Sequence, residues 1–308
     1  MAFFKKRESL VDNIAYMALM AAINVIFVLL TTLVPFLLFL LVFILPLTSL
    51  IVCLYCKKKY FILYALSTII LCLLVTIWNI GDTLFYVIPS IITGFLFGLL
   101  LEKKMSGIII ILITTLTQAI LMYPMIPLVH LITGRYIVDD FLAAFRLSTF
   151  PYTQHLTHMF IILMALIQEI ISFIVVYDEI GKFGVSADDV QDDTLVISII
   201  VIGLSIAVVI SYFFVNEAMN AILILLFVLG VYQTVELINK KNAVATTLIV
   251  ISIIVTFFMV TGLFRILNKN SPSGFMTLGI YPLLISFITL LNKYLFNRPK
   301  KYKIERKD

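Results

Sequence analysis

Polar positions are so sparse along this chain that its organisation is set by the points where long apolar runs break. Runs able to cross roughly 30 Å of hydrocarbon as helices fall at about 14–31, 34–55, 61–79, 83–101, 106–129, 156–177, 195–215, 217–237, 243–266 and 276–296. Two joints are slight: Thr31–Pro35 carries no charge, and Asn216–Glu217 is very short, so the pattern predicts eight to ten spans. Segments such as Ile108–Ala119 and Leu195–Ile210 are apolar on every side. A membrane β-barrel would instead alternate apolar and lumen-facing polar positions. A helix satisfies its own backbone groups in hydrocarbon. The predicted fold class is therefore all-α, a polytopic transmembrane helical bundle of about ten spans.

Composition agrees with that pattern. Of 308 residues, 62% are hydrophobic and only 13% charged, and the mean hydropathy is +1.15. A water-soluble surface needs more polar groups than this. Charge then orients the spans. With the N-terminus in the cytoplasm, ten alternating spans put seventeen basic residues inside: Lys5, Lys6 and Arg7, Lys57–Lys59, Lys103, Lys104, Lys182, Lys240, Lys241 and a six-residue basic tail. Four lie outside: Arg135, Arg146, Arg265 and Lys269. Cytoplasmic loops carry such an excess, so both termini are expected in the cytoplasm. The net charge of +5 follows from that bias and from attraction to anionic lipid; no nucleic-acid role is needed. The composition, rich in Ile, Phe and Lys, points to a bacterial cell membrane. No cleavable signal pattern follows Lys5–Arg7, and Cys53 and Cys56, beside Lys57–Lys59, are expected to be structural.

Two connections are long. The outer segment from His130 to His155 mixes charge with Tyr136, Phe141, Leu142 and Phe145, a pattern suited to a short interfacial helix. The inner segment from Asp178 to Asp193 carries six acids against Lys182; it reads as a solvated linker, with docking of a basic partner as the alternative. The chain thereby divides into a six-span domain (1–180), an acidic cytoplasmic linker (181–194) and a four-span domain with a basic tail (195–308).

Ala15, Ala18 and Ala22 share one face of the first span, and Gly94-Phe-Leu-Phe-Gly98 supplies a GxxxG in the fourth. Small residues let helices approach closely in lipid, either within the chain or against a partner protein. These residues, with the charged N-terminus, Tyr86-Val-Ile-Pro-Ser-Ile-Ile-Thr and the Glu102-Lys-Lys that closes the fourth span, resemble the substrate-binding S-components of energy-coupling-factor (ECF) vitamin transporters over about residues 10–180. The resemblance implies that Ala18 and Ala22 contact a transmembrane coupling subunit driven by ATPases, and that a small molecule binds near the outer face. S-components usually stop after about six helices, whereas Leu195–Phe296 continues here. In full length and six-plus-four layout the chain resembles the YybS-like bacterial membrane proteins, a family without an established biochemical activity.

Polar residues inside spans are costly and invite functional hypotheses. Glu169, beside Gln168, is the clearest, and is open to a structural or a functional role. Asn24, Gln118, Asn216, Glu217, Gln233 and Glu236 are others; the amides among them are read first as inter-helix hydrogen-bonding groups. The outer side collects Trp78, Asn79 and Asp82 between spans three and four, and Tyr123, His130, Arg135, Asp139, Asp140, Arg146, Tyr152, His155 and His158 around spans five and six. All three histidines lie there. His155 and His158 could share a helix face, but HxxH alone is a weak metal signal, and no metal or cofactor is expected. The candidate ligand-binding set is Trp78, Asn79, Asp82, Arg135, Asp139, His155, His158 and Glu169; the candidate partner-contact set is Ala18, Ala22, Gly94 and Gly98. Walker A, HExxH and GxSxG patterns are absent, so no enzymatic activity is expected. The leading expectation is a small-molecule binding or transport subunit energised by a partner. A membrane scaffold or assembly factor is the alternative, with an intramembrane enzyme using Glu169 or the histidine-rich region behind it.

Overall fold

The computed structural model describes residues 6–34, 38–144, 153–180, 194–214, 216–239, 247–256, 258, 279–291 and 293. Their regular structure is helical throughout. Seven helices are long and apolar enough to cross a membrane, and three shorter apolar helices accompany them: Ile44–Tyr55, Thr247–Thr256 and Ile280–Leu291. The protein is thus an integral membrane protein of helical build. Its exterior shows why: Ile62, Leu63, Leu66, Ile70 and Leu74 line the open side of one helix, while Asn24, Thr48, Gln118, Gln168 and Glu169 are buried. Apolar groups outside and polar groups inside suit hydrocarbon rather than water.

Contacts divide the chain into two units, Met1–Gln191 and Asp192–Asp308. In the first, α1 (Leu10–Leu33), α2 (Leu38–Tyr55) and α3 (Phe61–Val75) are followed by α4 (Ile80–Asp82), which runs through a π-helical turn (Thr83–Val87) into α5 (Ile88–Glu102). Then come α6 (Gly107–Thr133), α7 (Ile137–Ala144) and α8 (Thr153–Ile180). The segment from His130 to His155 does form a short helix, α7. One end of the unit is rich in lysine and tied together by polar contacts. The Arg7 amide donates to the Tyr55 carbonyl at 2.8 Å, the Lys57 amide donates to Asn13 Oδ1 at 2.7 Å, and Lys58 pairs with Glu102. Asn13 in turn donates to the Ser9 carbonyl at 2.6 Å. These contacts place the start of α1 with the ends of α2 and α5, so the helices alternate in direction.

Helix packing inside this unit uses two devices. The first is close approach. A methyl group at Gly94 would lie 2.2 Å from the Pro46 carbonyl oxygen, and one at Gly98 would lie 2.7 Å from Cys53 Cβ. The GxxxG face is therefore spent on α2 within the chain, which removes Gly94 and Gly98 from the candidate partner contacts. The second device is buried hydrogen bonding. Asn24 Nδ2 donates to the Tyr64 hydroxyl at 3.1 Å, and Thr48 Oγ1 donates to Asn24 Oδ1 at 2.9 Å, joining α1, α2 and α3. Gln118 Nε2 donates to Gln168 Oε1 at 3.2 Å, Gln168 Nε2 to Ser90 Oγ at 2.8 Å, and Thr93 Oγ1 to Gln118 Oε1 at 2.8 Å. That chain joins α5, α6 and α8.

The second unit holds α9 (Thr194–Phe214), α10 (Asn216–Asn239), α11 (Thr247–Thr256) and α12 (Ile280–Leu291). Leu237, Ile249, Ile285 and Ile288 form its apolar cluster. Gly230 lets α10 approach Pro282 of α12, while Gln233 Nε2 donates to Ser198 Oγ of α9 at 3.2 Å. The acidic segment 181–193, Arg146, Tyr152, Arg265, Lys269 and the basic tail lie outside the described residues.

Candidate functional site

At the end of the first unit opposite the lysine-rich contacts, two stretches far apart in sequence enclose a cavity of about 530 Å³. One wall is Ile77–Asp82 and Tyr86; the other is Val129, Ile132, Thr133, Arg135 and Ile137. Each wall has a local cause. After α3 the chain turns sharply: the Asn79 amide donates to the Thr76 carbonyl at 2.7 Å, and the Thr76 and Thr83 hydroxyls meet at 2.7 Å. The Ile88 amide then reaches back to the Thr83 carbonyl, five residues away. Pro89 follows and has no amide hydrogen to continue the ordinary ladder, which favours such an irregular turn. The π turn sets the facing of Asp82 and Tyr86. Gly81 brings this segment against α6: a methyl there would lie 3.1 Å from Val129 Cγ1.

The other wall follows from the end of α6. Pro124 and Pro127 lie inside this last part of the helix, and Gly134 closes it at φ 70°, donating its amide to the His130 carbonyl at 2.8 Å. A left-handed cap suits glycine, and it turns the chain so that Arg135 and Ile137 face the cavity. The His130 ring stacks on Tyr136 with centroids 3.7 Å apart, which braces the same turn.

The lining is mixed. Ile77, Ile80, Val129, Ile132 and Ile137 are apolar; Asn79, Asp82, Thr133 and Arg135 are polar; Trp78 and Tyr86 are aromatic. Trp78 is 98% exposed whereas Tyr86 is buried, so the lining runs from an open rim to a buried wall. Asn79 Nδ2 donates to Asp82 Oδ2 at 2.5 Å, which leaves the other carboxylate oxygen open to a ligand. The cavity's volume falls in the usual range of small-molecule sites.

Of the sequence-chosen residues, Trp78, Asn79, Asp82 and Arg135 meet in this cavity. Asp139 is exposed on α7 and is not part of its lining. His158 sits on α8, where its Nδ1 lies 2.8 Å from the Tyr123 hydroxyl of α6, away from the lining. His155 belongs to α8, but its side chain lies outside the described residues. Glu169 is fully buried on α8, near Thr114 of α6, and is not part of the cavity lining. Tyr86 and Thr133 were missed as lining residues; the Pro89 that follows an apolar start was the available signal for Tyr86. Ala15, Ala18 and Ala22 are exposed on α1, so that stripe is open on the surface of the unit. Among the described residues no group of three His, Cys, Asp or Glu side chains assembles. No family model, curated protein or solved structure matches the chain.

Proposed function

We propose that this protein is a small-molecule binding subunit of the cell membrane, resembling an ECF S-component, whose ligand occupies the cavity between the α3–α4 corner and the end of α6. The observation that carries this reading is the meeting of Trp78, Asn79, Asp82 and Arg135, drawn from two segments about fifty positions apart, in one cavity. Asp82 and Arg135 supply opposite charges at one site, while isoleucines and Tyr86 supply apolar contact. With no ATP-binding loop in the sequence, transport would be energised by a partner. The exposed Ala15, Ala18 and Ala22 face suits close docking of a partner helix. The basic bias puts the lysine-rich end, and both termini, in the cytoplasm; the cavity then opens outward. The ten-span arrangement requires the three shorter apolar helices to cross the membrane beside the seven long ones.

The test is bound-metabolite mass spectrometry on protein purified in mild detergent. Wild-type protein should carry a specific small molecule, and Asp82→Ala and Arg135→Ala should lose it while inserting normally. Wild-type protein that carries nothing and co-purifies with no ATPase contradicts the proposal. The scaffold reading rests on the same exposed alanine stripe: Ala18→Leu abolishing partner capture, in a protein that holds no ligand, would favour it.

A further inference from the structure

Glu169 stands outside the cavity lining, in the interior of the first unit. It is fully buried, and neither carboxylate oxygen finds a hydrogen-bond partner among the described residues. Thr114 stands near it, but the Thr114 hydroxyl hydrogen is already directed at the Ile110 carbonyl, 2.8 Å away. Two further hydroxyls, of Thr115 and Ser172, are buried and also without partners. Three contacts fix the antiparallel register of α6 and α8: Tyr123 with His158, Gln118 with Gln168, and Gly107 with Phe173. Between the last two, Glu169 falls level with Thr114 and Thr115. Ser172 is three residues from Glu169 and shares its helix face. Four buried oxygens without a hydrogen-bond partner thus fall within about one helical turn of one another along α6 and α8.

An isolated carboxylate in such surroundings is very costly; something must neutralise it. We propose that Glu169, Thr115 and Ser172 form an intramembrane site for a dehydrated monovalent cation of the sodium class. Charge decides the valence: the cluster offers one negative group, so a divalent ion would leave net charge in a low-dielectric interior. Ligand chemistry decides the class: every donor is oxygen, which suits hard cations and not those that prefer nitrogen or sulfur. A proton would neutralise the carboxylate and leave it to bond with the neighbouring hydroxyls, an outcome that the test below separates from a bound cation. A cation draws on the lone pairs of all four. The neighbouring Gln118–Gln168–Ser90 chain fixes the helix spacing around the site.

The test uses the full-length protein in lipid nanodiscs, with sodium exchanged for choline at constant ionic strength. Thermal stability should rise with sodium, and radiolabelled sodium should bind in a saturable way. Both effects should be lost in Glu169→Gln, which keeps the shape of the side chain. Both should weaken in Ser172→Ala and Thr115→Val, which keep the carboxylate and guard against misfolding of the first variant. Three results would overturn the proposal: no sodium effect in the wild type, an undiminished effect in Glu169→Gln, or a stability that follows pH through Glu169 with no response to sodium. The last would make the group a proton carrier. Loss of metabolite from the outer cavity is a separate readout, so the two proposals fail independently.

Discussion

Single residues carry the chemistry of the cavity, and each has a definable job. Arg135 is placed by the left-handed cap at Gly134, where an added methyl group would meet nothing within 4 Å. The demand for glycine there is therefore conformational rather than steric. Gly134→Val should cost about 1–2 kcal/mol and displace Arg135, lowering ligand retention in mass spectrometry while the chain still inserts. Asp82→Asn tests charge apart from shape: a ligand bearing a cationic group should be released by this change, and Asn79→Ala should have the smaller effect. Trp78, Asn79, Asp82 and Arg135 were legible in the sequence because polar groups at the ends of apolar spans stand out. Asp139 stood out equally, but α7 turns it away from the lining. Sequence position alone does not report such a rotation.

At the scale of elements, two irregularities do the positioning. The π turn at Thr83–Val87 advances the start of α5 relative to an ordinary helix. Pro89→Ala restores the missing amide and should favour an ordinary helical turn, rotating Asp82 off the cavity. The expected outcome is a stable protein with lost ligand, read by thermal melting beside metabolite analysis. The α2–α5 contact makes the opposite prediction. Gly94→Leu forces side-chain atoms into the Pro46 backbone and should destabilise by about 1–3 kcal/mol or more, seen as aggregation in size-exclusion profiles. Ala18→Leu, on an exposed face, should leave those profiles unchanged. Apolar runs revealed most helices but blurred their ends: α1 starts at Leu10 and α6 runs on to Thr133, because capping and proline-containing turns extend helices past the apolar window. The GxxxG could be read as inward or outward facing, since a small residue looks the same from either side until its neighbour is known.

For the whole molecule, helical membrane character was plain from hydropathy alone, since nothing but helices can bury such runs in lipid. What hydropathy does not supply is which distant segments converge, and the cavity exists only through that convergence. Orientation makes a direct prediction: with the native cysteines buried, Arg135→Cys should react with an impermeant maleimide on intact cells, and Lys104→Cys only after permeabilisation. The central claim, an outward cavity that holds a small molecule, has a built-in reporter, because Trp78 is the single tryptophan of the chain and lines that cavity. The most direct measurement is therefore Trp78 fluorescence of the purified protein in nanodiscs, titrated with small-molecule extract of the producing cells. A saturable change in emission, reversed by dialysis and absent in Arg135→Ala, is the predicted result. No change, or the same change in Arg135→Ala, would contradict the account.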